Sequence, residues 1–173
     1  MIHVCSLARL HETIEDTGAR HVVTLLGDGD SHRMLRPLGV PPANHLWLRL
    51  HDITEPMDGY ITPQSEHVER LVEFVRSWDQ SAPMVVHCYA GISRSTAAAF
   101  VSVCALNPRR KELTIAQALR KASPTAFPNI RIVTLADRLL DRDGRMVAAI
   151  KAIGSGVPAG EGEPFRLDLV ERI

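Results

Sequence analysis

One ten-residue run concentrates the residue types that do chemistry: His87-Cys88-Tyr89-Ala90-Gly91-Ile92-Ser93-Arg94-Ser95-Thr96. It is bounded by a compact apolar stretch, Pro83–Cys88, and by an almost continuously apolar one, Thr96–Leu106. The first reads as a strand and the second as a buried helix. The loop between them therefore lies at the carboxyl end of a strand, where open α/β folds place their ligands. Such a turn offers the backbone N–H groups of Tyr89, Ala90, Gly91, Ile92 and Ser93, and the helix N-terminus adds roughly half a positive charge. Gly91 permits a backbone conformation or a close approach that a side chain would forbid. Arg94 presents a planar fork matched to two oxygens of a phosphate. Together these residues form a cup for a tetrahedral dianion with Cys88 at its base. The same positive surroundings favour the thiolate, the nucleophilic form of cysteine. A buried structural cysteine at a strand end is the plainer reading. The joint pattern argues against it.

The elements that must hold this loop are set by local pattern. Ile2–Leu7, His21–Leu26 and His45–Leu50 read as strands, with a short helix through Leu10 and Ile14 that Gly18 ends. Residues 27–44 are rich in Gly and Pro and form a long connection, whose charged residues Asp28, Asp30, His32, Arg33 and Arg36 either select substrates or are simply solvated. From Pro63 a helix is signalled by Val68, Leu71, Val72, Val75 and Trp78. Pro108 ends the buried helix, Thr114 caps the next, Asn129 starts another, and Met146–Ile153 extends the helical end. Strands alternating with helices, and then a run of helices, predict an α/β fold. Its central sheet of four or five strands is mostly parallel and flanked by helices, with a helical C-terminal half. Residues 1–153 form one domain. Gly, Pro and Glu dominate residues 154–173, which read as a mobile or loosely docked tail.

Composition narrows the classes. The chain has 173 residues, one domain's length, and its twenty Lys plus Arg balance twenty Asp plus Glu. Zero net charge removes the global argument for a nucleic-acid binder or a polybasic membrane-surface protein. No stretch approaches the roughly 20 apolar residues of a membrane span, and the N-terminus lacks a signal-peptide pattern. Cys5, Cys88 and Cys104 are odd in number and widely spaced, which points to a reducing compartment, and the chain reads as cytoplasmic. All eight histidines fall within the first 87 residues, but none forms a metal-binding pair of the His-x-His or His-Glu-x-x-His kind.

His87 to Ser95 resembles the signature loop of cysteine-dependent protein tyrosine phosphatases, His-Cys-x5-Arg-Ser/Thr, in its compact dual-specificity-like branch. The likeness extends through Leu48-Arg49-Leu50-His51-Asp52-Ile53, the helix from Pro63 and Pro128-Asn129, over residues 20–142, with wording most similar to small bacterial members. The resemblance implies a phosphomonoester hydrolase without metal or cofactor. Its substrate is a phosphorylated protein or another phosphomonoester, and inorganic phosphate is its product. Cys88 would form a phosphocysteine, while Arg94 and the amides of residues 89–93 hold the equatorial oxygens. Ser95 would donate to the thiolate, a role compatible with capping the helix, and His87 would support the loop from behind or simply pack. The general acid is Asp52, 36 positions before Cys88, with Asp58 as its competitor. The non-basic loop interior, Tyr89, Ala90 and Ile92, weakens a preference for phosphoinositides or RNA ends. Three readings stand beside this one: a phospho-binding module without turnover, a phosphatase for a non-protein phosphoester, and sulfur transfer on a related cup. Cys104 lies about 15 Å along its helix from Arg94, too far to form a disulfide with Cys88, whereas Cys5 stays open as a resolving partner.

Overall fold

A computed structural model describes residues 1–29, 37 and 39–169. The loop positions Asp30, His32, Arg33 and Arg36 lie outside them, as do residues 170–173. Among the described residues, β1 (Ile2–Ser6), β2 (His21–Leu26), β3 (His45–Arg49), β4 (Met84–Cys88) and β5 (Phe165–Leu167) form one sheet. Its order is β3-β2-β4-β1-β5. The first four strands run parallel, and β5 pairs antiparallel with β1. The expected mostly parallel sheet is thus present.

Alternation along the strands sorts side chains onto two faces. Val4, Val23, Leu25, Val86 and Cys88 enter the larger core, which packs α2 (Ser65–Ser77), α3 (Arg94–Leu106), α4 (Glu112–Ala122), α5 (Ile130–Leu139) and α6 (Arg145–Ala152). Cys5, Val22 and Val85 face the other way, against Leu10 and Ile14 of α1 (Leu10–Thr17). α3 is buried on every side, from Arg94 to Ala105, which is why its sequence shows little polar face. The central helix of one core layer therefore begins at the loop after β4. This arrangement fixes the loop at its two ends.

Element ends differ from expectation in instructive ways. α2 starts at Ser65 rather than Pro63, because Gln64 and His67 form a reciprocal cap. α4 starts at Glu112, so Thr114 is in its first turn and not its cap. The cause is Glu112 itself, a buried carboxylate near the helix N-terminus, held 2.7 Å from Arg142 Nη1 and 3.3 Å from Arg145 Nε. Asn129 does cap α5, accepting from Arg131 N and Ile132 N.

The stretch after Gly154 differs most. Expected as a mobile or loosely docked tail, its described part packs on the domain and adds a strand to the sheet edge. Phe165 and Leu167 are buried while Arg166 between them is exposed, the alternation of a half-covered strand. Leu169 is buried as well. The helical C-terminal half is therefore closed by a strand. Among the described residues no helix is long and apolar enough to cross a membrane.

Candidate active site

The loop 89–93 leaves β4 at Cys88 and enters α3 at Arg94. Four of its carbonyls are hydrogen-bonded to the surrounding scaffold. Tyr89 O accepts from Leu7 N at 3.1 Å, and Ala90 O accepts from Gly162 N at 2.9 Å. Ile92 O accepts from Phe127 N at 2.9 Å, and Ser93 O accepts from Asn129 N at 3.3 Å and Ala97 N at 3.0 Å. In a planar trans peptide the carbonyl and the next N–H point in opposite directions. Carbonyls turned outward therefore turn the N–H groups of Ala90, Gly91, Ser93 and Arg94 inward. Gly91 takes φ +73°, and a Cβ there would lie 2.8 Å from Ser6 N and 2.9 Å from Cys5 C. The loop presses on the end of β1 through the one residue with no side chain to clash.

Cys88 lies at the inner end of a cleft of about 1020 Å³, which Arg94, Asp52, Ser93 and Asn129 also line. Its Sγ is 3.1 Å from Ser95 Oγ, in a buried contact. Ser95 is inside the first turn of α3, and the cap position belongs to Ser93. The expected capping role of Ser95 therefore does not arise. Its hydroxyl is directed at the thiol instead. Arg94 is buried, and its Nη1 donates to Leu50 O at 3.2 Å, which anchors the guanidinium to the end of β3.

Asp52 lies just past β3 and reaches the loop. Its Oδ1 accepts from Ser93 Oγ at 2.7 Å and from Asn129 Nδ2 at 2.8 Å. The segment that carries it is tied back at several points. His51 N donates to Ile61 O and Ile61 N donates to His51 Nδ1, each at 2.8 Å. Arg131 reaches Pro63 O at 2.8 Å and Thr54 O at 3.0 Å. Asp58 is exposed and does not line the cleft. Asn129 is the site residue that sequence reasoning passed over as a helix start. Its Oδ1 caps α5 while its Nδ2 holds Asp52, so one amide fixes both the helix and the carboxylate.

His87 points to the opposite face of β4 from Cys88. Its Nε2 meets Thr24 Oγ1 at 2.7 Å, and the same hydroxyl meets His45 Nε2 at 2.8 Å. Burial pushes its pKa down to about 3, so the ring is neutral at neutral pH. It ties β4 to β2 and β3 behind the loop. Cys5 also faces away from Cys88: in parallel register Ser6 pairs with Cys88, and Cys5 pairs with His87. Burial pushes the Cys5 and Cys104 thiols up to about 12, and all three cysteines are free. The resolving role left open for Cys5 is closed by the sheet, which separates the two thiols. Among the described residues no group of three or more His, Cys, Asp and Glu gathers as metal ligands.

Comparison with known proteins identifies the family and the fold. The sequence model of the family described as "Polymorphic toxin system, DSP-PTPase phosphatase" matches residues 4–105, from β1 to the end of α3. No curated protein matches the chain by sequence. Solved structures share the fold. PTP-2 phosphatase of Cydia pomonella is 19% identical with TM-score 0.62, covering 79% of this chain and 84% of that one. Human DUSP28 is 17% identical with TM-score 0.60, covering 82% and 92%. PTPMT1 in complex with PI(5)P is 15% identical with TM-score 0.63, covering 88% and 93%. The chain belongs to the DSP-PTPase phosphatase family matched over residues 4–105, and it is a cysteine-dependent phosphatase of dual-specificity type.

Proposed function

We propose that this phosphatase works through a phosphocysteine on Cys88, with Asp52 as general acid and then general base. The observation that supports the reading best is the convergence of three separate segments on one cleft. Cys88 lies at its floor beside Ser95 Oγ, and Asp52 is held over the loop by Ser93 and Asn129. In the first step the Cys88 thiolate attacks phosphorus, the bond from phosphorus to the ester oxygen breaks, and Asp52 protonates the departing oxygen. Both hydrogen bonds to Asp52 fall on Oδ1, which leaves Oδ2 to carry that proton. In the second step Asp52 takes a proton from water, the water oxygen bonds to phosphorus, and the thiolate leaves with Ser95 Oγ donating to it. Inorganic phosphate is released. Arg94 and the inward amides hold the equatorial oxygens throughout, and oriented donors of this kind stabilise the transition-state charge.

The cleft mouth also bears on substrate. Met57, Tyr89 and Phe127 are more than half exposed and stand on three different segments around it. Among the described residues lining the cleft, Arg94 and Lys151 are balanced by Asp52 and Glu55. Against these described lining residues a ligand as highly charged as PI(5)P finds little complementary charge. The rim suits a phosphorylated side chain flanked by apolar residues, so the substrate is a phosphoprotein. The three free cysteines suit a reducing compartment, and we assign the protein to the cytoplasm. The test is hydrolysis of a generic aryl phosphate, with thiosulfate turnover measured in parallel. Activity on the aryl phosphate that disappears in Cys88→Ser supports the reading. Equal rates in the two proteins, or thiosulfate turnover alone, would overturn it.

A further inference from the structure

The segment from Gly154 to Glu163 lies outside the span matched by the family, yet it crosses the phosphate loop. Gly162 donates its N–H to Ala90 O at 2.9 Å. A methyl at Gly162 would sit 3.0 Å from Gly91 O and 3.4 Å from Ile92 Cγ1, so the two backbones touch where neither carries a side chain. The segment is anchored on both sides of this contact. Ser6 Oγ donates to Glu161, and Ser6 is the β1 residue in register with Cys88. Glu163 lies 3.6 Å from Arg9 Nη1. Upstream, Val157 N donates to Pro124 O and Arg120 Nη2 to Gly154 O, each at 2.9 Å. Downstream, β5 fastens the chain to the sheet edge.

We propose that Gly162 is a positioning residue for the phosphoryl group: its N–H holds the Ala90 carbonyl outward and thereby aims the Gly91 N–H into the cup. The inference rests on the phosphatase reading above and adds a part to it. The planar trans peptide makes the two orientations one event. Leu7, Phe127 and Asn129 hold the peptides just after Tyr89, Ile92 and Ser93, and all three belong to the body of the domain. The peptide between Ala90 and Gly91 is held from the C-terminal segment. It is also the peptide next to a glycine at φ +73°, where rotation meets the least steric resistance. Were that plane to turn over, a carbonyl oxygen would face the dianion in place of a donor. Gly162 has no side chain because the Gly91 carbonyl occupies that space.

The experiment uses the full chain and inorganic phosphate as probe. In Gly162→Pro the donor is removed, and in Gly162→Ala a methyl is wedged against Gly91 O. The inhibition constant for phosphate is read against aryl phosphate hydrolysis, and the Gly91 amide is tracked by NMR as phosphate is added. The wild-type amide should shift on titration. In Gly162→Pro that shift should shrink and the phosphate inhibition constant should rise about three- to tenfold, the worth of one hydrogen bond. Ile115→Val, a core change in α4, controls for general loosening and should leave both readouts as in wild type. If Gly162→Pro does not fold, Glu161→Ala, which cuts the anchor to Ser6, is measured with the same expectations. An unchanged Gly91 response and inhibition constant in the folded variant would overturn the proposal, as would an equal loss in Ile115→Val. A wild type that neither turns over substrate nor binds phosphate would overturn the phosphatase reading, and this proposal with it.

Discussion

At the carboxyl end of β4 the two faces of the sheet carry similar residues in opposite conditions. On one face Cys88 opens into the cleft, with Ser95 Oγ 3.1 Å away and the loop amides around it. On the other, Cys5 and His87 are in register on neighbouring strands and buried, Cys5 with Leu10 and Ile14 of α1 and His87 on Thr24. Burial drives the Cys5 thiol up to about 12 and the His87 ring down to about 3, so both are neutral at neutral pH. The residue types do not make the difference; the loop and helix that continue the strand do. Side chains alternate from face to face, and only the face that meets the loop and the α3 N-terminus acquires donors for an anion.

The sharpest way to break this contrast is to exchange the thiols' fates. Cys88→Ser should lower kcat by about 10⁴–10⁶-fold, as removal of a nucleophile does elsewhere. Cys5→Ala should leave kcat unchanged. Iodoacetamide should modify Cys88 in the native protein, with protection by phosphate, and should reach Cys5 and Cys104 only after unfolding. Peptide mass mapping reads that outcome. Modification of Cys5 in the folded chain at a rate like that of Cys88 would dissolve the distinction between the faces.

The next effect concerns the carboxylate above the front face. Asp52→Ala should lower kcat by roughly 10²–10⁴-fold while substrate still binds, and Asp58→Ala should change neither constant. Asn129→Ala should fall between them, at about tenfold in kcat, because Asp52 keeps its bond from Ser93 and loses the other. It should also lower stability by about 1 kcal/mol through loss of the α5 cap. Steady-state kinetics with an aryl phosphate, beside a denaturation curve, separates the two consequences. A larger kcat loss in Asn129→Ala than in Asp52→Ala would mean that the carboxylate is not the acid.

The front face was more legible in the sequence than the parts that hold it. Cys88, the glycine and Arg94 lie on one continuous strand, loop and helix, so local pattern places them together. Asp52 was legible as the end of a strand near the same edge. Its partner Asn129 was visible only as a helix start, because the bond between them spans 77 positions and no local period registers it. The segment 154–163 was hidden for a different reason. It acts largely through backbone groups, Gly162 N and Val157 N among them, which leave no side-chain signature. Phe165-Arg166-Leu167 does alternate, but three residues are too few to read as a strand before the β1 edge is known. Gly156 and Gly162 there mark close approach to other backbone, and in a sequence such glycines look like disorder.

The smallest expected effect belongs to the back face and tests its neutrality. The folded pKa of His87, about 3, is below its ordinary value near 6.5, so between these the unfolded chain binds the proton and the folded one does not. The contribution of the neutral ring is therefore whole above about pH 6.5 and is lost as pH falls toward 3. His87→Gln keeps a polar group for Thr24 and removes the titration. Its stability should fall less steeply than that of wild type between pH 6.5 and 4, measured by urea unfolding at each pH. Some slope should persist, since His3, His21 and His67 are also lowered by burial. The difference between the two slopes isolates His87. Parallel curves would show that the ring takes up its proton as readily in the folded chain as in the unfolded one, and burial would then not hold the back face neutral.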